Sequence, residues 1–340
     1  MRIGILTGGG DAPGLNGVIE SATRTLLQLG HEPIGICDGF EGIYNNQTRK
    51  LTISDVEGQH AFAGTLLGTS SRSGTEGREQ EFLEAYAKIN LDGLIVAGGD
   101  GTFRCLQDLE ADLKIIGVPK TIDNDLPGTD ATFGFDTACS VVAEAVDSLR
   151  TTARAHHRII VVETMGRTAG WIALGGGMAS MAHVILIPER PFDPQALKIY
   201  LEKKLNEKRG LIVVASEGVT LNEIVKRSKD KSGASDVVAE YGIGRRLSNW
   251  IEAQTGQEAR HVVLGHLQRS HPPTTTDRFL TTAMGVTAAR LAHDKKWGQA
   301  VTFKKGLVSE TAIENLMGRP RTVAHDHRWV QMCQSLGIFI

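Results

Sequence analysis

Short apolar runs end in glycine or polar loops again and again along this 340-residue chain. Residues 3–6 (IGIL) pass into TGGGDAPG, 93–96 (GLIV) into AGGDGT, and 115–118 (IIGV) into PKTIDND. Residues 159–162 (IIVV) pass into ETMGRTAG, 184–187 (VILI) into PERP, and 211–214 (LIVV) into ASEG. Several loops lead into segments with helical spacing, at 16–29, 103–109, 137–153 and 195–207. Continuous β-rich runs alternating with helices predict parallel strands buried on both faces, hence an α/β fold. The polar loops follow strands, so they gather at the carboxyl ends, where open α/β sheets bind ligands. The pattern predicts two three-layer αβα domains with mostly parallel sheets. The first takes residues 1–135 and is completed by about 268–315; the second takes 136–267 with about 316–340. No Pro- or Ser-rich linker separates them, and the tail HDHRWVQMCQSLGIFI reads as a closing helix and strand, or an interface piece.

Composition narrows the function classes. A formal net charge of −2 makes no electrostatic case for nucleic acid or an anionic membrane as partner. Cys37, Cys105, Cys139 and Cys333 form no Cys-x-x-Cys pair, so neither a zinc site nor a disulfide framework is expected, and a reducing compartment is. No run approaches the ~18 apolar residues of a spanning helix, and the first apolar stretch is too short for a signal peptide. A cytoplasmic location is expected.

Three loops carry candidate chemistry. TGGGDAPGLNG (7–17) puts glycines between a strand and a helix, which lets backbone N–H groups approach a phosphate at a helix start; a tight turn is the plainer alternative. GGDGT (98–102) repeats that architecture with Asp100 inserted, which suits a polyphosphate whose metal the carboxylate holds; Asp100 as a simple helix N-cap is the alternative. Such a loop occurs in more than one kinase class. PKTIDNDLPGTD (119–130) concentrates acids, amide, threonines and a lysine behind a buried run. Phosphoryl transfer to a hydroxyl needs a base at the attacking oxygen, donors on the moving group, and a cation against the accumulating charge. Asp123 and Asp125 lie two apart, so an extended segment points them the same way, one toward a hydroxyl proton and one toward Mg²⁺. Asx-turn chemistry accounts for one such residue, hardly for Asp-Asn-Asp.

Six motifs in order, GGGDAPGLN, GGDGT, TIDND, ETMGR, SEG and LGHLQR, make the sequence resemble the phosphofructokinase family from residue 1 to about 320. The resemblance implies two Rossmann-like domains and transfer to the 1-hydroxyl of fructose 6-phosphate. Asp123 would be the base, Thr121 would contact the moving phosphoryl group, and Arg72 would bridge it. Gly9, Gly10, Gly99, Gly101 and Thr102 would cradle the donor, with Asp100 serving Mg²⁺. Ile122, Met165, Gly166, Arg167 and Glu217 would hold the sugar, and Arg167 would also assist transfer. Arg158, Arg260, His266, Leu267, Gln268 and Arg269 would surround the sugar phosphate. Arginine forks suit a phosphate dianion; alone, each arginine is more often a solvated surface charge, and His266 is as easily a core histidine. Arg260, His266 and Arg269 flank the apolar VVLGHL, which predicts three donors at one end of a strand. In the family Arg158 and Arg260 reach a neighbouring subunit's site, so a homodimer or homotetramer is expected.

The donor turns on Lys120 and Gly101. In ATP-using bacterial members both positions are usually glycine; in pyrophosphate users they are lysine and usually aspartate. An aspartate at 101 would fill and repel the α-phosphate, and this chain has Gly101 with Lys120, a combination also found in mixed-donor members. ATP is expected, with pyrophosphate as the alternative donor. Sedoheptulose 7-phosphate is an alternative acceptor, because arginines fix a phosphate and not the length of a sugar. Ser270 and His271 replace two family glycines, which puts the path near Arg269 in question. Glu20 stands where allosteric members carry an effector-binding arginine, although Arg24 remains, so weak or absent effector control is expected. A Rossmann dehydrogenase is disfavoured, lacking a proper G-x-G-x-x-G with an acid ~20 residues on. A non-catalytic relative would have lost Asp123 or the metal acid.

Overall fold

The computed structural model describes residues 1–70, 73–107, 109, 113–221 and 242–340. The chain divides into two compact units, one of Met1–Thr137 with Arg269–Arg321, the other of Ala138–Gln268 with Thr322–Ile340. Among the described residues no helix is long and apolar enough to cross a membrane.

The first unit is a seven-stranded sheet. Its strands are β1 (Arg2–Thr7), β2 (Glu32–Ile36), β3 (Thr48–Lys50), β4 (Gly93–Gly98), β5 (Ile115–Pro119), β10 (Gln299–Lys304) and β11 (Leu307–Ala312). They lie in the order β11-β10-β5-β4-β1-β2-β3, parallel except at the two edge pairs β2–β3 and β10–β11. Side chains alternate across it, as the two-residue repeat of a strand requires. Ile3, Ile5, Ile95, Ala97, Ile116 and Val118 face one core, covered by helices Leu15–Gln28 and Thr275–His293. Leu6, Leu94, Val96 and Ile115 face the other, with Phe82 of Glu79–Ile89 and Phe103 of Asp100–Gln107. Burial on both faces is why these runs read as continuous apolar stretches. The order reverses direction between β1 and β4, the crevice where open sheets take ligands.

The second unit has four parallel strands, β6 (Ile159–Thr164), β7 (Val184–Leu186), β8 (Leu211–Ser216) and β9 (Ala259–Val263), in the order β7-β8-β6-β9. Helices Pro194–Glu207 and Ile243–Thr255 cover one face through Leu197, Leu201, Leu247 and Ile251. On the other face Gly177 of helix Trp171–Ala179 lies against Ile185 and Val214, where an added Cβ would come within 2.9 Å of Ile185. The tail forms the expected helix, Arg328–Ser335, but its strand shrinks to one bridge between Val184 and Phe339.

Candidate active site

Three loops leave the carboxyl ends of three adjacent strands of the first unit. Thr7 of β1 is paired with Ala97 of β4, and Gly98 of β4 with Pro119 of β5, so the register sets these loops side by side. In the first, Gly8 N–H donates to Ala97 O (2.9 Å), Gly9 N–H to Ser70 O (3.2 Å), and Thr69 Oγ1 to Gly9 O (2.6 Å). Gly9 has φ +78°, where a side chain is strained, and a Cβ at Gly10 would stand 2.7 Å from Nη1 of Arg269. The bare backbone therefore lies directly under a guanidinium, which itself sits 3.8 Å from Asp11 Oδ1.

Lys120 joins the loops. Its side chain is 5% exposed, its ammonium donates to Gly10 O, and its backbone N–H donates to Gly98 O (2.8 Å). An added Cβ on Gly9 would be 3.4 Å from Lys120 Nζ, so the lysine side chain lies against the glycine-rich backbone. In the second loop Thr102 is buried and Gly101 exposed, and an added Cβ at Gly101 would meet nothing within 4 Å. Asp100 opens the helix Asp100–Gln107 and both its carboxylate oxygens stand 3.0 Å from Arg104 Nε. Among the described residues no cluster of three or more His, Cys, Asp or Glu is arranged for a metal. A lone carboxylate beside a polyphosphate site fits Mg²⁺, which takes one or two carboxylates and fills its shell with water and phosphate oxygens.

The third loop corrects an expectation. Residues 122 and 123 form a turn and Asn124 takes φ +53°, so 121–126 is not an extended run. The Asp123/Asp125 pair therefore does not share a face by strand alternation. Thr121 Oγ1 accepts from Asp123 N–H (3.1 Å) and donates to Asp125 Oδ1 (3.2 Å). Asn124 Oδ1 accepts from Thr132 N–H (3.1 Å), and Thr132 Oγ1 donates to Thr121 O (2.6 Å). Thr121, Asn124 and Asp125 thus shape the turn that carries Asp123, whose side chain is 6% exposed, and Ile122 is buried as its apolar anchor.

In the second unit, the loop after β6 holds Met165, Gly166 and Arg167. Gly166 has φ +139°, and a Cβ there would stand 2.4 Å from Ala169 O, so only glycine makes this turn. Glu217, after β8, accepts from the N–H groups of Gly166 (3.2 Å) and Arg167 (2.9 Å) through one oxygen. Gln268 is fully buried; its Oε1 accepts from Met165 N–H (3.2 Å) and its Nε2 donates to Gly265 O (3.0 Å). Both ends of that amide serve the backbone, so Gln268 braces the loop and does not face a ligand as expected. His266 is exposed, which removes the core-histidine alternative, and Leu267 beside it is 61% exposed.

The expectation of three donors at one end of a strand also needs correction. Arg260 lies at the start of β9, paired with Ile160, whereas His266 and Arg269 follow its end. Arg260 instead joins Arg158: Glu258 accepts from Arg158 Nε at 2.6 Å and from Nη2 of Arg260. These arginines hold the Glu258 carboxyl below its usual range, the Arg158 hydrogen bond most of all. Ser270 ends the short helix Leu267–Ser270, and neither it nor His271 takes positive φ, so both are accommodated without strain. Arg72 lies outside the described residues.

Arg321 carries no signal in the sequence, and Glu20 has local partners that the sequence does not show. Arg321 grips the acid loop through Asn124 O, at 2.9 Å from Nη2 and 3.2 Å from Nε. Glu20, which reads as a reversed charge, is saturated locally: it accepts from Arg24 Nε (2.9 Å), His60 N–H (3.0 Å) and Gly58 N–H (3.3 Å), and lies 2.9 Å from His60 Nδ1. Its pKa lies below the ordinary value because these hydrogen bonds together outweigh desolvation, although desolvation is the largest single influence and acts upward.

The chain is similar to phosphofructokinases across nearly its whole length. The family model described as Phosphofructokinase matches residues 2–292. An ATP-dependent 6-phosphofructokinase 2 of Clostridium perfringens is 40% identical over 99% of this chain and 97% of its own. A pyrophosphate–fructose 6-phosphate 1-phosphotransferase of Amycolatopsis methanolica is 42% identical over 89% of this chain and 91% of its own. The Pichia pastoris phosphofructokinase crystallised in its T-state superposes with TM-score 0.81 and 27% identity over 93% of this chain, which spans 35% of that longer one. A pyrophosphate-dependent phosphofructokinase of Nitrosospira multiformis, at TM-score 0.85 and 19% identity, shares the fold. With the motifs, the two-unit α/β fold and these relatives in agreement, the chain belongs to the phosphofructokinase family.

Proposed function

We propose that the chain is a 6-phosphofructokinase that transfers a phosphoryl group from ATP to the 1-hydroxyl of fructose 6-phosphate, giving fructose 1,6-bisphosphate and ADP. The observation that carries this reading is the acid loop: Asp123 and Lys120 follow β5, next to the two glycine-rich loops after β1 and β4. The carboxylate of Asp123 takes the hydroxyl proton as the sugar oxygen attacks the γ-phosphorus and the bond to the β–γ bridging oxygen breaks. Backbone N–H groups of the glycine-rich loops and the Lys120 ammonium meet the phosphate charge, and Arg72 joins them by resemblance. Mg²⁺, held by Asp100 and the phosphates, would supply further charge neutralisation. In the second unit, Gly166 and Arg167, braced by Glu217, hold the sugar, with His266 near its phosphate.

Arg158 and Arg260 stand at the opposite end of their strands from Gly166 and Arg167, which supports service to a neighbouring subunit's site in at least a homodimer. We also propose a cytoplasmic location, in keeping with four cysteines placed far apart in the sequence.

ATP is favoured because the space around Gly101 is open to an α-phosphate. Pyrophosphate is the second reading, favoured by the buried Lys120 ammonium against the loop. Fructose 6-phosphate with Mg²⁺ and either ATP or pyrophosphate, assayed in parallel and repeated with sedoheptulose 7-phosphate, tests both. Failure of both donors with both sugars removes the proposal.

A further inference from the structure

The segment 318–321 touches both the acid loop and the helix that Asp100 opens. At one end, Gly318 O accepts from Nη2 of Arg104 (3.3 Å), the arginine whose Nε contacts Asp100. At the other, Arg321 N–H donates to Asp125 O (2.6 Å) while its guanidinium donates twice to Asn124 O. Two consecutive carbonyls following Asp123 are thereby fixed by one residue nearly 200 positions away in sequence. Asn124 takes a left-handed conformation that asparagine tolerates better than most residues with a Cβ; Thr132 N–H holds its side chain, and Arg321 holds its carbonyl. Burial pushes the Arg321 pKa down, while Asp130 and Asp125 act the other way, so the cation sits partly desolvated behind the acid turn. A planar fork suits this place better than an ammonium, since it reaches one carbonyl with two donors in fixed geometry.

We propose that Arg321 is a positioning residue for phosphoryl transfer: it sets the Asn124 peptide and through it the aim of the Asp123 carboxylate. The segment it ends also ties that aim to the Asp100 helix. This inference rests on the reading of Asp123 as the base.

The test compares wild type, Arg321→Ala and Arg321→Lys with fructose 6-phosphate and the donor that wild type uses. In Arg321→Ala, kcat should fall by about tenfold or more with both KM values within about threefold, the split expected when the transition state alone loses stabilisation. Ethylguanidinium at millimolar concentration should restore about fivefold of that loss and ethylammonium should not, since only the former has the paired donors. A kcat within about twofold of wild type in Arg321→Ala overturns the proposal, as does a lost kcat that ethylguanidinium leaves unchanged in a protein with wild-type melting. Should Arg321→Ala fail to fold, Arg321→Lys decides: lowered kcat at unchanged KM supports the role and wild-type kcat refutes it. An inactive wild type would sink the proposed function and this inference together, whereas an active wild type with an indifferent Arg321 sinks this inference alone.

Discussion

Replacing Gly101 with aspartate is the sharpest probe of the donor pocket. An added Cβ at this position meets nothing within 4 Å, so the side chain enters without displacing protein. It also lies in the first turn of the helix Asp100–Gln107, where a carboxylate interacts favourably with the helix dipole, so melting should not fall. Under the proposed donor assignment, what changes is the charge met by the α-phosphate of ATP. Two unit charges about 5 Å apart repel by about 3 kcal/mol at an effective dielectric of about 20. Gly101 is exposed, so water and salt screen roughly half of this, leaving about 1.5 kcal/mol, or about tenfold in kcat/KM. Steric exclusion adds to that figure, which makes tenfold the floor. Pyrophosphate carries no α-phosphate and should lose less than about threefold on the same account. Initial rates with each donor, using variant protein whose melting matches wild type, give the two ratios. Equal losses for the two donors, or a greater loss for pyrophosphate, would refute the argument.

Asp123→Ser should lower kcat by about 10² or more with little change in the KM for fructose 6-phosphate, as removal of a general base does; a mainly KM effect would assign Asp123 to binding instead. Asp277 is 1% exposed, accepts from Thr137 N–H (2.9 Å) and Oγ1 (2.5 Å), and its pKa is pushed up to about 6, chiefly by burial. A raised folded-state pKa means the ionised carboxylate opposes folding above about pH 6, and that this cost disappears as pH falls toward about 4. Urea unfolding should therefore show Asp277→Asn gaining stability relative to wild type as pH rises from about 4 to about 6, by up to about 3 kcal/mol; a pH-independent difference would contradict this. Because Glu20 is saturated by Arg24, Gly58 and His60, saturation curves for fructose 6-phosphate should be hyperbolic and unmoved by ADP or phosphoenolpyruvate. Sigmoidal curves relieved by ADP would count against that.

The parts of the fold that could be read in advance are those fixed by local pattern. β1, β4, β5, β6 and β8 carry β-branched or leucine side chains on both faces, and such runs announce themselves. β9 does not: its sequence, Ala-Arg-His-Val-Val, is mostly exposed at the sheet edge, so its pattern does not show that Arg260 lies at its start and away from His266 and Arg269. The glycine-rich loops were legible because their chemistry is in the backbone. The acid loop was legible in composition but not in shape, since Thr132 and Arg321 impose the turn from outside the motif. Gln268 misled for a similar reason: a polar residue next to a basic motif looks like a ligand contact until its burial against Met165 and Gly265 is known.

The unit built on β1 is assembled from two stretches of chain with the whole of β6–β9 between them. During synthesis its sheet can start early, yet the edge pair β10–β11 and the helix Thr275–His293 over Ile3 and Ile5 emerge only after the other unit's four strands have left the ribosome. The nascent chain must carry five of the seven strands, without that edge pair or that helix, for some 130 residues of elongation, at about 5–20 residues per second. Over that interval the face bearing Ile3 and Ile5 lacks one of its covering helices and is open to misassociation, until Thr275–His293 docks.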